Sequence, residues 1–336
     1  SNGSGVVNNT GTVIVNGANI SGITGSGVSN EAGNVDIIKG TISCAALGVK
    51  TMSGAITNIS GGTITAGTAS TQGNAIMNTE TGKVTITGGN ISTTQGIVMF
   101  NEGSGTIKVN NPTANINAGR FPVLFNKGSG TIEVNSGTYK STGMHVIENS
   151  TTGTIKVTGG NMSTNDDYAV IDSPGSGIVT VSGGNLTAQR VAIYTNAGRT
   201  TITGGTISGG EKAGYVSDTE QRGFTLVKNE SGTLNISSGT INAVGFAIYN
   251  VKEPSNTTVT GGSVTSQTFV AMYVRYGTIT VGSASSALST SNAIITGETI
   301  GVENEDSITG SSTGTFNFYN GIIRGGEKSY EGSITK

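Results

Sequence analysis

The chain has 336 residues, of which 55 are glycine, 5% are aromatic and none is tryptophan. So few large apolar side chains would fill a globular core of this length poorly, whereas a solenoid needs only a thin core that continues from coil to coil. The formal net charge is −2 with only 18 Lys and Arg, which excludes the basic stripe of a nucleic-acid-binding protein and the polybasic patch of a membrane-bound one. No apolar run long enough to span a membrane is visible, so direct membrane insertion is not expected.

A motif of the form N-x-x-T-G-x-V-x-I-x-G-G-x-I-S recurs along nearly the whole chain. It is clearest at residues 78–92 and returns at residues 149–163. The apolar residue that follows the glycine turn recurs mostly every 21 to 25 residues, and a fixed period in this range indicates a solenoid. In chain order these anchor residues are Ile20, Ile42, Ile64, Ile91, Ile116, Tyr139, Met162, Leu186, Ile207, Ile241 and Val264.

Each repeat predicts three short strands. In the repeat at residues 75–92 they are Ala75 to Met77, Val84 to Ile86 and Asn90 to Ser92. Apolar and polar residues alternate strictly in these segments, which indicates strands with one buried face and argues against a helical solenoid. The sequence therefore predicts an all-β parallel β-helix of about 12–13 coils. Lys108, Glu133 and Lys156 are expected to alternate in sign on its outer surface.

Paired glycines precede the third strand in many repeats and predict a positive-φ or sterically tight corner there. They occur at residues 61–62, 88–89, 159–160, 183–184, 204–205 and 261–262. We expect one domain over residues 1–336. It has regular coils at 5–281 with an insertion at 209–222, irregular coils at 282–315 and a closing segment at 316–336. Because the chain begins inside a repeat at Val6, we expect it to be covalently continuous with further coils or domains.

The single cysteine and the single histidine do not suggest a catalytic pair. Cys44 closely follows the anchor Ile42 in an early coil, whereas His145 lies about four coils away. We therefore expect Cys44 to be a small buried or half-buried thiol.

The repeats resemble a known family. They are similar to the right-handed parallel β-helix of the pectin-lyase-like superfamily, and more closely to non-catalytic β-helix repeats of large surface proteins of Gram-positive bacteria. The resemblance covers residues 5–281, and FNFYNGIIRG at residues 316–325 resembles segments that end such arrays. It implies a right-handed coil, export and display on the bacterial cell surface.

The same resemblance implies a structural role for a set of asparagines. An internal asparagine ladder is common in that superfamily, in which side-chain amides hydrogen-bond from coil to coil and to the backbone of turns. The residues that match this ladder by position are Asn78, Asn101, Asn126, Asn149, Asn229 and Asn250.

Many β-helices cleave acidic polysaccharides, so an enzyme is one hypothesis. Hydrolysis requires paired carboxylates, and elimination requires an acidic calcium site with a basic residue. The best candidates are Asp166 and Asp167, with Asp172 nearby and Arg190 about a coil further on. However, Asp166 and Asp167 lie where a turn must occur, and turn chemistry alone explains them. We predict no enzymatic activity, no metal site and no cofactor.

A binding surface is the other hypothesis. Aligning the first strands places one residue of each coil in a common column. The residues that precede this column are uniformly large and apolar, among them Leu226, and we expect them to fill the core. Alternation directs the first column outward, where rings could hold successive sugars; a stacked ladder of inward or sheltered rings is the alternative. The column is Met77, Phe100, Phe125, Glu148, Asp172, Tyr194, Val227, Tyr249 and Tyr273. Its candidate ligand-binding residues are Phe100, Phe125, Tyr194, Tyr249 and Tyr273.

Two further surfaces are weaker candidates. The third strands carry many hydroxyls, but Asn90, Asn115, Asn161 and Lys140 interrupt the regular array that ice binding needs. The insertion at residues 209–222 departs from the repeat and carries charged side chains, and long solenoid insertions often carry function; a tolerated loop is the simpler interpretation.

The sequence thus predicts an extracellular structural or adhesive segment of a larger bacterial surface protein, acting as stalk or adhesin. Its candidate partners are host or microbial glycans and surface proteins. The alternative is a carbohydrate-binding module, or one like a polysaccharide lyase or hydrolase.

Overall fold

The computed structural model describes residues 3–67, 73–94, 96–110, 115–118, 121–165, 168–210, 225–283, 293–304, 314–331 and 334–335. These residues form an all-β parallel β-solenoid of the right-handed type and contain no helix, which confirms the predicted fold class. The chain divides into two compact units, Ser1–Tyr168 and Ala169–Lys336. Within the ranges given above, no helical stretch has the length and hydropathy of a membrane span.

The strands are numbered in chain order. In the first unit they are β1 (Val6–Asn8), β2 (Thr12–Ile23), β3 (Ser26–Asn30), β4 (Asn34–Cys44), β5 (Leu47–Thr51), β6 (Ile56–Ile59), β7 (Thr63–Ala66), β8 (Asn74–Asn78), β9 (Lys83–Ile86), β10 (Asn90–Thr93), β11 (Met99–Asn101), β12 (Thr106–Val109), β13 (Asn115–Ala118), β14 (Leu124–Asn126), β15 (Thr131–Val134), β16 (Thr138–Ser141), β17 (Ile147–Asn149), β18 (Thr154–Val157) and β19 (Asn161–Thr164).

In the second unit they are β20 (Ile171–Ser173), β21 (Ile178–Val181), β22 (Asn185–Ala188), β23 (Ile193–Thr195), β24 (Arg199–Gly209), β25 (Thr225–Asn229), β26 (Thr233–Ala243), β27 (Phe246–Asn250), β28 (Asn256–Val259), β29 (Ser263–Ser266), β30 (Met272–Val274), β31 (Thr278–Val281), β32 (Ile294–Gly297), β33 (Ile300–Glu303), β34 (Thr315–Phe318), β35 (Ile322–Gly325), β36 (Lys328–Glu331) and β37 (Ile334–Thr335).

Each coil has three sides, and each side pairs in parallel with the same side of the next coil. In the first unit the first side is built from β1, β3, β5, β8, β11, β14 and β17, paired in that order. In the second unit it is built from β20, β23, β25, β27, β30, β33 and β36. The second and third sides form the other sheet, and in β2, β4, β24 and β26 they are one continuous bent strand.

The alternating residues of the second side form two buried columns. In β9, Val84 is 1% exposed and Ile86 is 0% exposed, and both are in register with the equivalent residues of β12, Ile107 and Val109. The intervening Thr85 is half-buried. Burial of one aliphatic side chain of this size contributes about 1.5–3 kcal/mol, so these columns form the continuous thin core that the composition requires.

The third side adds a further buried column. Of the predicted anchors, Ile20 is half-buried, the side chain of Ile116 lies outside the described part, and the others are at most 1% exposed. Tyr139 is the aromatic member of this column, and its hydroxyl donates to the carbonyl oxygen of Ser136 at 2.8 Å. Burial raises the pKa of Tyr139, so it stays protonated in the core.

The two glycines of each pair have different functions at the corner. The second glycine has a positive φ, for example +84° at Gly62 and +96° at Gly89. The first glycine has an ordinary φ but packs closely against the backbone of the preceding coil. A Cβ on Gly88 would lie 2.4 Å from the carbonyl oxygen of Ser60, so no larger residue fits there. The predicted corner is therefore both tight and left-handed.

Opposite charges stack on the outer surface of the first unit, in the predicted order. Glu133 lies between Lys108 and Lys156 in register, and the Nζ of Lys108 is 2.8 Å from a carboxylate oxygen of Glu133. The hydrogen bond from Lys108 lowers the pKa of the Glu133 carboxyl, with a smaller contribution from the charge of Lys156. Because this pair is still partly exposed to solvent, it adds little to stability.

The corner yields a prediction about Gly89. Replacement by alanine places a Cβ at a φ of +96° and only 3.0 Å from the carbonyl oxygen of Gly62. We expect Gly89→Ala to lower the free energy of unfolding by about 1–3 kcal/mol in urea denaturation. Gly3→Ala is the control, because a Cβ there meets no atom within 4 Å and no left-handed φ is needed. Equal stability of the two variants would contradict the predicted corner.

Candidate functional site

Four asparagines form a hydrogen-bonded ladder inside the first unit. Asn78 donates from Nδ2 to Oδ1 of Asn101 at 2.9 Å, Asn101 to Asn126 at 2.8 Å, and Asn126 to Asn149 at 3.0 Å. All four are 0% exposed, at the ends of first-side strands that are paired in register. Asn101 and Asn126 therefore each accept from the preceding coil and donate to the next, and a buried polar column of this kind is stable where its groups are paired.

A glycine four residues after each ladder asparagine makes room for the amide. Nδ2 of Asn78 also donates to the carbonyl oxygen of Gly82 at 2.9 Å, and Asn101, Asn126 and Asn149 make the equivalent bond. A Cβ on Gly82 would lie 2.4 Å from Oδ1 of Asn78. This glycine is thus required by the side-chain ladder, a reason that the sequence analysis did not identify.

The ladder has a break before Asn78, whose buried Oδ1 has no hydrogen-bond partner among the described residues. The residue in register in the preceding coil is Thr51, and its hydroxyl is 2.7 Å from the hydroxyl of Thr57. Thr57 also accepts from Nδ2 of Asn30 at 3.1 Å. The residue four positions after Thr51 is Ala55 in place of glycine. This coil therefore differs from the following coils at three positions, and Oδ1 of Asn78 is left without a donor.

Shorter ladders occur elsewhere. In the first coils, Asn8 donates to Oδ1 of Asn30 at 3.0 Å. In the second unit, Asn229 donates to Oδ1 of Asn250 at 3.4 Å, and Asn250 also accepts from the hydroxyl of Thr257 at 2.6 Å. This second ladder ends at the next coil, where Val274 is in register with Asn250.

The outer column of the first unit places its phenylalanines in neighbouring coils. Phe100 and Phe125 are in register, and their rings stack with centroids 5.3 Å apart and planes at 23°. Lys127 lies over the Phe100 ring at 5.9 Å. Phe100 is only 8% exposed and Phe125 is half-buried, although both lie on the face opposite to the inward asparagines. Stacking and the lysine therefore shelter rings that alternation directs outward.

The second unit corrects one member of the predicted column. Lys228, rather than Val227, is in register with Tyr194 and Tyr249. Val227 instead pairs with Ile193 and Ile248 in the core column that the sequence analysis gave to Leu226. The position of Asn229 in the ladder fixes this register, and a shift by one residue exchanges the two faces of a strand. Tyr249 and Tyr273, in the following coils, are in register with each other.

Tyr249 and Tyr273 are part of an aromatic cluster, which we define as Phe246, Tyr249, Phe269 and Tyr273. The two tyrosine rings are 5.2 Å apart, Phe246 lies 6.0 Å from Tyr273, and Phe246 stacks on Phe269 at 5.7 Å with planes at 11°. Tyr249 and Tyr273 are 4% and 3% exposed, whereas Phe269 is 47% exposed. The cluster therefore buries the two tyrosines proposed to contact a ligand and exposes a ring that the sequence analysis did not identify.

A one-residue difference between the repeats explains why the two phenylalanines were missed. Phe246 precedes Tyr249 by three residues, and Phe269 precedes Tyr273 by four. An alignment on the tyrosines therefore places the phenylalanines in different columns. The detectable signal was an aromatic residue at the start of the first-side strand or shortly before it in two successive coils.

Tyr194, the remaining candidate ring, belongs to a charged network. Its hydroxyl donates to Glu230, which also pairs with Lys252, and Lys228 lies over its ring at 5.5 Å. Burial, together with the hydrogen bond to Glu230, raises the pKa of Tyr194. Burial would raise the pKa of Glu230, but the hydrogen bonds from Lys252 and Tyr194 outweigh it and lower that pKa. The network joins side chains of three coils and leaves the Tyr194 ring half-buried.

The candidate catalytic residues are only partly placed. Asp166 and Asp167 lie outside the described residues, as do residues 211–222 of the predicted insertion. Asp172 lies in the outer column in register with Tyr194, and burial raises its pKa to about 6. A carboxyl with such a pKa suits proton transfer, but buried structural carboxyls have similar shifts. Arg190 is half-buried in the turn before β23.

Cys44 is 1% exposed in the core, and burial raises the pKa of its thiol, so it is a poor nucleophile near neutral pH. The ring of His145 is in edge contact with Tyr168 at 5.3 Å. No group of three or more His, Cys, Asp and Glu side chains with metal-binding geometry occurs in the described part of the chain.

The ladder yields a pH-dependent prediction for Asn126→Asp. The new carboxylate would face two acceptors, the carbonyl oxygen of Gly130 and Oδ1 of Asn149, that now accept from Nδ2 at 2.9 and 3.0 Å. Burial and these acceptors raise its folded-state pKa above the unfolded value of about 3.9. Folding then takes up a proton. The stability difference from wild type is therefore smallest below about pH 4 and grows as the pH rises towards the folded-state pKa.

The measurement is urea unfolding of wild type and variant between pH 3 and pH 8. Asn242→Asp is the matched control, because Oδ1 of Asn242 accepts from Gln267 at an exposed site and a carboxylate keeps that role. A stability difference for Asn126→Asp that does not change with pH would contradict the ladder.

The break at Thr51 predicts that it can be repaired. The triple change Thr51→Asn, Ala55→Gly and Thr57→Val recreates the residues of the following coils and gives Oδ1 of Asn78 a donor. We expect the free energy of unfolding to rise by about 1–3 kcal/mol in thermal or urea unfolding. Thr51→Asn alone should destabilise, because the new amide meets the Cβ of Ala55, just as a Cβ on Gly82 would meet Asn78 at 2.4 Å. A single variant as stable as the triple variant would refute the coupling.

Comparison with models of protein families, with curated proteins and with solved structures finds no match to this chain.

Proposed function

We propose that this chain is a structural, non-catalytic β-helix segment of a large bacterial cell-surface protein, in which it acts as a stalk or adhesin. The observation that carries the proposal is the coil-to-coil register, which stacks residues of the same type on every side of the solenoid within each unit. Aliphatic columns and asparagine ladders fill the interior, so most of the repeat is used to build a stiff support.

The extracellular setting comes from the resemblance of the repeats. Their N-x-x-T-G and G-G-x-I-S segments are similar to the right-handed β-helices of the pectin-lyase-like superfamily and to non-catalytic repeats of Gram-positive surface proteins. Proteins displayed in that setting meet proteases and variable conditions. A backbone paired continuously from coil to coil is suited to that setting, because local opening breaks many bonds at once.

A carbohydrate-binding module is the second candidate function. The aromatic cluster favours it, because Phe269 presents nearly half of its surface to solvent beside a second stacked ring. The buried state of Tyr249 and Tyr273 favours the structural role for the rest of the column. An adhesin combines both, with a stiff support and a local contact.

The proposal predicts no turnover of polysaccharides. The purified segment is incubated with polygalacturonate, hyaluronate and a neutral glucan, and new reducing ends and unsaturated uronates are measured over a day. We expect no product above the level of a heat-treated sample. Product formation that disappears in Asp172→Asn would replace the structural proposal by an enzymatic one, with the carboxyl whose pKa is raised to about 6 as the acid or base.

A further inference from the structure

Phe269 is the last ring of a stack. One face of its ring lies on Phe246, with planes only 11° apart, so the other face points away from Phe246. In the next coil the backbone N–H of Thr299 donates to the carbonyl oxygen of Phe269 at 3.4 Å. In these parallel sheets such a bond joins residues that are offset by one, as between Thr79 and Thr51 where Thr51 is in register with Asn78. Glu298, rather than a third ring, therefore follows at this level. The 47% exposure of Phe269 agrees with an open ring face.

Exposed polar residues neighbour Phe269 along the chain and in the next coil. Gln267 and Thr268 precede it and are exposed, and Glu298 is exposed one coil further on, next to Thr299. The side chain of Gln267 donates to Oδ1 of Asn242 at 3.1 Å, and the hydroxyl of Thr268 donates to the carbonyl oxygen of Val244. These bonds fix the side chains of the two residues that precede the phenylalanine. The site is thus an exposed ring with a rim of polar residues next to it along the chain and in the next coil.

We propose that the Phe269 ring is a stacking platform for one sugar ring of a glycan, with the amide of Gln267 and the carboxylate of Glu298 bonding to hydroxyls at its edge. This inference rests on the adhesin part of the proposed function and gives it a site and a ligand class. A sugar ring has an aliphatic C–H face and a rim of hydroxyls. It therefore matches an aromatic face surrounded by donors and acceptors.

The polar rim argues for a sugar over an apolar protein side chain. An apolar group seated on Phe269 would remove water from Gln267, Thr268 and Glu298 without replacing the lost hydrogen bonds, which costs binding energy. Hydroxyls of a sugar restore those bonds. The rest of the cluster supports the platform, because Phe246 holds Phe269 from behind and is itself packed against Tyr273 at 6.0 Å.

The test uses the purified chain on an array of immobilised cellohexaose, maltoheptaose and oligogalacturonate, followed by calorimetry with the sugar that binds best. We expect Phe269→Ala and Phe269→Leu to weaken binding about tenfold or more, which corresponds to about 1.4 kcal/mol. The leucine variant keeps an apolar side chain but removes the ring face. Gln267→Ala should weaken binding by a smaller factor. Tyr319→Ala is the control, because Tyr319 is 51% exposed outside the cluster and should leave binding unchanged.

The possible results separate this inference from the function on which it rests. Binding that is lost in both Phe269 variants and kept in Tyr319→Ala supports the platform. Binding that survives both Phe269 variants overturns the platform but leaves an adhesin that binds elsewhere. If the wild-type chain binds none of the sugars, the platform is overturned and the proposed function as a stalk remains. Cleavage of the sugars overturns the structural proposal, while loss of their binding in Phe269→Ala would still support the platform.

Discussion

Parallel backbone pairing between equivalent strands of successive coils is the constraint on which the structure depends. It sets neighbouring coils about 4.8 Å apart and brings like residues directly over one another. Every position in the repeat therefore belongs to a column, and a residue is tolerated only if it stacks on its equivalents. Aliphatic residues satisfy this by packing, asparagines by passing hydrogen bonds along the column, and charges by alternating in sign, as at Lys108, Glu133 and Lys156.

The same constraint explains why glycine is so abundant. At the corner before the third side, Gly89 has a left-handed φ, while Gly88 stands against the carbonyl oxygen of Ser60. At the start of the second side, Gly82 leaves room for the amide of Asn78. In the coil of Thr51, where threonine stands in place of the ladder asparagine, Ala55 stands in place of this glycine and Oδ1 of Asn78 has no donor.

The fold could be predicted from sequence because the alternation of apolar and polar residues is a local pattern, and it recurs in many repeats at a nearly fixed period. Exposure could not be predicted in the same way. Alternation places Phe100 and Tyr273 on the face opposite to the core column, but ring contacts between coils bury them, and those contacts depend on which residues are neighbours. A shift of one residue was enough to misplace Val227 and to hide Phe246 and Phe269, because the period of a strand is two.

Stacking also restricts where such a protein can bind other molecules. A ring in the middle of a column has both faces covered by its neighbours and shows only its edge to solvent. A ring face becomes available where the column changes residue type, as between Phe269 and the coil of Thr299. In a solenoid, then, regular positions provide support, and the place to look for recognition is the irregularity that ends a stack.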